Sequence, residues 1–252
     1  MTLNLLVVDW DYFFPSPLAG APAGEHDALY AWPAAEDPVF VEAVWLRRLR
    51  RFREAGVPLP RCRGYEAFWS RFTIERGATV FYADSNAWAA HLFPSDVGGR
   101  GPWASVHLYD AHHDCGYRLE HRTFDAWKAA GRIGAGDWML AHHWNGSALH
   151  VHFPPWRESL DRPAESPLIP VPMSLDAGRG PVDVPFHAVY VCRSGAWVPS
   201  WCDDQFTAFL AACPATPVEV PHNRWNHPRP DVARMDALGR ARRWVGTGTE
   251  RL

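Results

Sequence analysis

The sequence predicts an α/β fold, a mostly parallel sheet covered by helices in a three-layer αβα arrangement, on three observations. Short apolar runs of strand length recur through the chain, at residues 3–14, 79–83, 104–109, 149–153, 187–192 and 216–220. Several are apolar throughout, as in strands buried on both faces of a parallel sheet. Stretches with helical spacing separate them, and that alternation is the pattern of a parallel sheet with crossover helices.

The opening run LNLLVVDWDYFF (3–14) reads as one buried strand whose charges, Asp9 and Asp11, arrive only at its end. A loop rich in Pro, Ala and Gly follows over 15–33. Asp37 as N-cap and Pro38 at the first helical position then start a helix. Its Val41, Trp45, Leu49 and Phe52 share one face opposite Arg47, Arg50 and Arg51, and Gly56 ends it. Residues 65–72 suggest a shorter helix, 79–83 a strand and 85–92 a helix. The strand at 104–109 runs directly into Asp110-Ala111-His112-His113-Asp114. Beyond it we expect a helix at 124–130 and strands at 138–142, 149–153 and 187–192. Helices at 203–212 and 232–245 flank a strand at 216–220. The Pro-rich stretch 149–183 reads mainly as a long connection. With no internal repeat and no linker, residues 1–252 are expected to form one domain.

Composition narrows the function. At 252 residues and 47% hydrophobic, the chain can bury one sizeable core. A formal net charge of −3 gives no long-range attraction to nucleic acid or to an anionic membrane. No apolar stretch approaches the ~20 residues that span a bilayer, and no opening segment has a signal-peptide pattern, so a cytoplasmic protein is expected. The five cysteines (Cys62, Cys115, Cys192, Cys202, Cys213) contain no C-x-x-C pair and suggest buried thiols, not a disulfide framework. The fourteen tryptophans are expected in the core and in the walls of a cleft.

The strongest chemical signal is Asp110-Ala111-His112-His113-Asp114 at the end of an apolar strand. In extended backbone, Asp110, His112 and Asp114 would project together while Ala111 and His113 turn away. Carboxylates and an imidazole that converge in a buried site repel one another and lose hydration, and a divalent cation compensates both. Asp9-Trp10-Asp11 repeats the logic at the end of the first strand. Functional groups in open α/β sheets gather beyond the carboxyl ends of the strands, so both motifs are expected in one crevice. Five such ligands suit a pair of ions roughly 3.5–4 Å apart. Alone, the D-x-D pattern also fits capping, a single Mg site or a phosphotransfer aspartate. Mixed oxygen and imidazole donors point to Mn, Fe or Zn in preference to Ca.

At these residues the chain resembles the arginase/ureohydrolase superfamily, whose D-A-H-x-D motif matches Asp110, His112 and Asp114 and whose D-x-D motif matches Asp9 and Asp11. It is most similar to a family of short bacterial arginase-related proteins that includes peptide arginases. These open on a D-x-D-[FY]-F strand and carry a later G-[ND]-W segment, here Gly136-Asp137-Trp138. The likeness spans roughly residues 3–145. It implies an arginase/deacetylase-like fold and two Mn ions, with Asp9 and Asp110 bridging, His112 and Asp11 completing one site and Asp114 helping to complete the other. The superfamily also takes a histidine at the start of a helix after a strand, where this chain places Asn86. Depletion of that site, an engineered His→Asn change and a shift of alignment by one position all remain open. The D-x-D motif leads the chain here, whereas ordinary arginases carry it late, so the resemblance does not imply a free-arginine enzyme.

The implied reaction cleaves a guanidinium group and needs an acid for the leaving amine. His142 and His143, just after the G-D-W segment, are the candidates, with His113 and His121 as alternatives. A substrate guanidinium would seek a carboxylate with paired oxygens, for which Asp137, Asp203 and Asp204 are candidates; Asp203 also fits a helix N-cap. The leading expectation is therefore a Mn-dependent hydrolase that converts arginine side chains of a peptide to ornithine, with the loops 15–33 and 149–183 framing the peptide. Amide or acetyl hydrolysis on the same fold, and a non-catalytic relative that binds a peptide or a metal, are the alternatives. Oligomeric state has no signature in the sequence.

Overall fold

A computed structural model describes residues 2–14, 38–54, 56, 58–116, 133–159, 168–178, 180–220 and 232–237. A seven-stranded sheet runs through them, with the spatial order β5-β4-β3-β1-β6-β2-β7. The strands are β1 (Asn4–Asp9), β2 (Phe72–Ala83), β3 (Ser105–Tyr109), β4 (Ala148–Phe153), β5 (Met173–Leu175), β6 (Val182–Cys192) and β7 (Thr216–Glu219). Every neighbouring pair is parallel, which makes the sheet wholly parallel where the sequence predicts a mostly parallel one.

The central strand explains why its sequence is apolar on both faces. Leu6 and Val8 pack on one side with Trp45, Leu49 and Phe52 of helix α1 (Pro38–Glu54) and with Phe206 and Phe209 of helix α3 (Asp203–Ala211). Leu5 and Val7 pack on the other side with Trp138, Met139 and Leu140 of helix α2 (Trp138–Trp144) and with Ala89 and Ala90. Helix, sheet and helix are the three layers of the α/β fold. Gly56 sits at φ 66° beyond the end of α1, a left-handed stop open to glycine without strain.

The aromatic residues fill the first core. Trp10 packs edge-on against Tyr65 and Phe206, with centroids 5.3 and 5.7 Å away. Trp69 stacks on Phe209 at 4.5 Å. Buried indoles need a partner for their N–H. Trp45, Trp69, Trp103 and Trp201 each donate to a backbone carbonyl, of Gly195, Phe209, Leu92 and Pro60 respectively.

Several expected elements differ. The opening strand ends at Asp9, and residues Trp10–Phe13 turn into a 3-10 helix. Residues 138–142 form α2, a helix and not a strand. A parallel β3–β4 pair needs a crossover between its members, and α2 lies on that crossover. The helix expected at 65–72 shrinks to one 3-10 turn, Phe68–Arg71, and Asn86–His91 is likewise 3-10. β2 begins at Phe72, earlier than residue 79, and its first part pairs with β6 through register shifts between Phe72 and Thr73 and between Ile74 and Thr79. The connection 149–183 contains β4, β5 and the start of β6. The helix expected at 124–130, the loop 15–33 and most of the helix expected at 232–245 lie outside the described residues; 232–237 is helical. No helix among the described residues is long and apolar enough to cross a membrane.

The topology places the site. β1 is followed by α1 on one face of the sheet, and β3 is followed by α2 on the other. Connections that leave adjacent parallel strands toward opposite faces open a crevice at the strands' carboxyl ends. Asp9 and Asp110 stand at that edge.

Candidate metal centre

Asp9 ends β1 and Asp110 follows β3, whose last residue, Tyr109, pairs in register with Val8. Asp9, Asp11, Asp110 and Asp114 are each no more than 5% exposed, so water cannot hydrate these carboxylates. Asp11 comes forward because the chain turns at Trp10. Its Oδ1 accepts the Ala111 N–H at 3.1 Å, which ties the two motifs together across 100 positions of sequence. Asp9 accepts the Asp11 N–H at 3.0 Å, and Asp110 accepts the His112 N–H at 2.8 Å. Both motifs are therefore turns closed by their own leading carboxylate. The extended alternation expected over 110–114 does not occur, and Asp114 reaches the cluster with φ 48°. Ser194, after β6, has φ 55°. Such backbone is rare for residues other than glycine and gathers at functional sites.

His112 places Nδ1 2.9 Å from Asp11 Oδ2 and 3.4 Å from Asp110 Oδ1. Two ligand atoms at right angles around an ion bound at about 2.1 Å lie about 3 Å apart, so these three atoms fit one divalent cation. Asp11, Asp110 and His112 each offer a ligand atom within 4.8 Å of the others. The second half of the cluster is different. Asn86, the first residue of its 3-10 turn, donates Nδ2 to Asp9 at 2.7 Å, Asp114 at 3.0 Å and Asp110 at 3.3 Å. Trp138 Nε1 donates to Asp114 at 2.7 Å.

Electrostatics follow from burial. Desolvation, and then the charge of Asp11, hold the Asp9 and Asp110 carboxyls well above the ordinary range, although the hydrogen bond from the Asp11 N–H pulls Asp9 down in part. Burial raises Asp114 to about 7 against the opposing charge of His112 and the hydrogen bond from Trp138. Asp11 is also desolvated, but the His112 charge and hydrogen bond outweigh this and leave it below its usual value. For His112 burial is overcome by Asp11 and Asp110, which push it well above its usual value. The carboxylates thus favour a positive charge at this position, which a metal ion on Nδ1 would supply in place of the proton.

The histidines proposed as acids stand elsewhere. His142 is buried in α2, its Nε2–H donating to the Ala89 carbonyl at 2.8 Å, between Trp138 and Phe93. His143, the next residue round the helix, is exposed. His113 is fully buried, with Nδ1 accepting from the Cys115 N–H, and His121 lies outside the described residues. Asp204 pairs with Arg61 at 2.6 Å on the surface. Asp203 opens α3, 3.8 Å from Arg193. Asp137, half-buried, directly precedes Trp138, and burial raises its carboxyl.

Burial lowers His142 to about 4, which makes it a pH sensor of folding. Because the folded value lies below the unfolded 6.5, its contribution is complete above about pH 6.5 and is lost as pH falls toward 4, amounting to roughly 3 kcal/mol. Urea unfolding of His142→Gln from about pH 7 to about pH 4.5 is expected to show a shallower loss of stability than the parent chain. An unchanged slope would rule out this origin.

Four features of the site escaped the sequence reading. Ser194 reaches Asp9 from the end of β6. Trp197 lies against His112, with ring centroids 4.6 Å apart. Trp138 anchors Asp114. Arg193 pairs through Nε and Nη2 with both oxygens of Asp84, joining the ends of β6 and β2. The signal for Arg193, Ser194 and Trp197 was the strand end at Cys192: residues just past it belong to the crevice once β6 neighbours β1. No protein-family model, no curated protein and no solved structure matches the chain.

Proposed function

We propose that the chain is a metal-dependent hydrolase of the ureohydrolase type, similar to the peptide arginases, that converts an arginine side chain within a peptide to ornithine and releases urea. The observation that carries the reading is the meeting of Asp9-x-Asp11 and Asp110-x-His112-x-Asp114 in one buried cluster at the adjacent ends of β1 and β3. Mn2+ is the ion of the proposal, since carboxylates with one imidazole suit it. When bound, it supplies Lewis acidity that brings the pKa of a water toward neutrality.

The chain's own groups do the rest. Asp11, Asp110 and His112 hold the ion, and the Ala111 and His112 amides fix the two carboxylates. Trp197 against His112 limits water at the ring. A guanidinium needs a carboxylate that is not already paired with arginine. Of the three candidates, Asp137 alone has no arginine partner among the described residues; Asp203 neighbours Arg193 and Asp204 holds Arg61. All five cysteines are free thiols, which supports a reducing, cytoplasmic setting.

Incubation of the Mn-loaded chain with arginine-containing peptides is expected to remove CH2N2 per arginine, read by mass spectrometry, with one urea for each. A metal-loaded chain that leaves every arginine intact would defeat the reading. One observation favours a second reading, a non-catalytic relative that binds metal or peptide: Asn86 occupies the centre with an amide.

A further inference from the structure

We infer that Asn86 is a built-in occupant of the second half of this centre, so that the chain binds one divalent cation, between Asp11, Asp110 and His112, and not two. The inference rests on the reading of the cluster as a metal centre and specifies its stoichiometry.

The Asn86 Nδ2 contacts Asp9, Asp114 and Asp110 at 2.7, 3.0 and 3.3 Å, the position at which a second cation would draw on the same three carboxylates. An amide NH2 has two N–H donors and no lone pair free for a metal. Its two donors serve the nearer carboxylates, Asp9 and Asp114, and its nitrogen, 3.3 Å from Asp110, excludes an ion by position. The carboxylates at Nδ2, and not the amide's other end, fix this orientation. Oδ1 is buried and has no hydrogen-bond partner, so nothing on that side holds the group in place. A buried oxygen without a partner is unfavourable, and the chain tolerates it only where the opposite end gains more. Turning the amide to present Oδ1 to an ion would leave Nδ2, with two donors, where Oδ1 now finds no partner. The surroundings also hold the residue firmly. Ser85 caps the turn by accepting the Ala87 N–H at 3.1 Å, and Tyr190 donates to the Ser85 carbonyl. Trp138 fixes Asp114 from the far side. By contrast, the first half of the centre has no amide in it. Its three ligand atoms already stand at separations an ion can span.

The test is the stoichiometry of Mn2+ bound to the metal-stripped chain, by equilibrium dialysis with elemental analysis and by electron paramagnetic resonance. The parent is expected to take one equivalent, with the signal of an isolated Mn(II) ion. Asn86→His, which supplies a lone pair, is expected to take a second equivalent and to show an exchange-coupled spectrum. Asn86→Asp, closer in size, provides the same test if the histidine variant does not fold. Two equivalents in the parent overturn the inference. So does a single equivalent in both folded variants, because the amide is then not what closes the second position. Absence of binding in the parent and in every variant overturns the metal-centre reading itself and is distinct from either result.

Discussion

Asp11→Asn is expected to lose metal binding while the metal-free protein becomes no less stable. Asp11 offers Oδ2 to the ion position and Oδ1 to the Ala111 amide. An asparagine keeps the second contact and gives up the first. Replacing residues that only hydrogen-bond to metal ligands costs about 10–100-fold in affinity, so loss of a ligand is expected to cost at least about 100-fold for Mn2+. Stability moves the other way. The charge of Asp11 adds to burial in holding both Asp9 and Asp110 above the usual carboxyl range. The new amide removes that repulsion and can donate to a neutral His112 Nδ1, 2.9 Å from the replaced oxygen. Removing one partner of a buried ion pair costs about 3–5 kcal/mol where the other charge is stranded; His112, unlike an arginine, can lose its proton, so no charge is stranded here. Mn2+ titration and urea unfolding of the metal-free protein measure the two effects. A variant that binds Mn2+ as the parent does, or that unfolds far more easily without metal, would contradict this account. The opposition of signs is the trade expected where like charges are held together for function.

Arg71→Met is expected to cost about 3–5 kcal/mol of folding stability, the range for removing one partner of a buried ion pair. Arg71 grips Asp176 through both terminal nitrogens, at 2.7 Å each, with side chains only 12% and 9% exposed. Its guanidinium also lies 5.5–5.8 Å from the ring centres of Phe68, Phe72 and Tyr109. Asp176 accepts further hydrogen bonds from the Tyr12 hydroxyl and the Gly178 amide. Those donors remain in the variant and place the loss toward the lower end. Because Tyr12 follows Asp11, the pair fastens the turn that carries Asp11 to the segment after β5. Urea unfolding at neutral pH checks the value. A companion Arg71→Met/Asp176→Leu chain should recover part of the loss, since the stranded charge is then gone too; a double variant weaker by the sum of its parts would argue against a coupled pair.

Much of the frame was legible because apolar runs report burial directly. Leu5 to Val8 reads as a strand covered on both faces because the β-branched Val7 and Val8 end it and aspartates follow it, and the apolar face of α1 follows from the spacing of Trp45, Leu49 and Phe52. The run at 138–142 was not legible in the same way. Trp138-Met139-Leu140-Ala141 is apolar throughout, and such a run reads equally as a buried strand or a buried helix turn. Nearness to the G-D-W segment likewise does not tell which way His142 and His143 face. A helix advances about 100° per residue, so His142 turns inward to Ala89 while His143 faces solvent. Asp110, His112 and Asp114 do converge, but hydrogen-bonded turns and the positive φ of Asp114, and not the alternation of an extended strand, bring them together.

By itself the sequence determined which residue types are available to the centre: two aspartate motifs and a histidine, each following an apolar strand, and an asparagine after another. It could do so because a charged cluster at the end of a buried run has few physical outlets. Only the tertiary structure decided that β1 lies between β3 and β6. That order brings Asp11 to Ala111, Ser194 to Asp9 and Trp197 to His112, because parallel neighbours end on the same edge of the sheet. It also decided which way the Asn86 amide points, a matter of three carboxylates converging from two strands and of no local pattern in the chain.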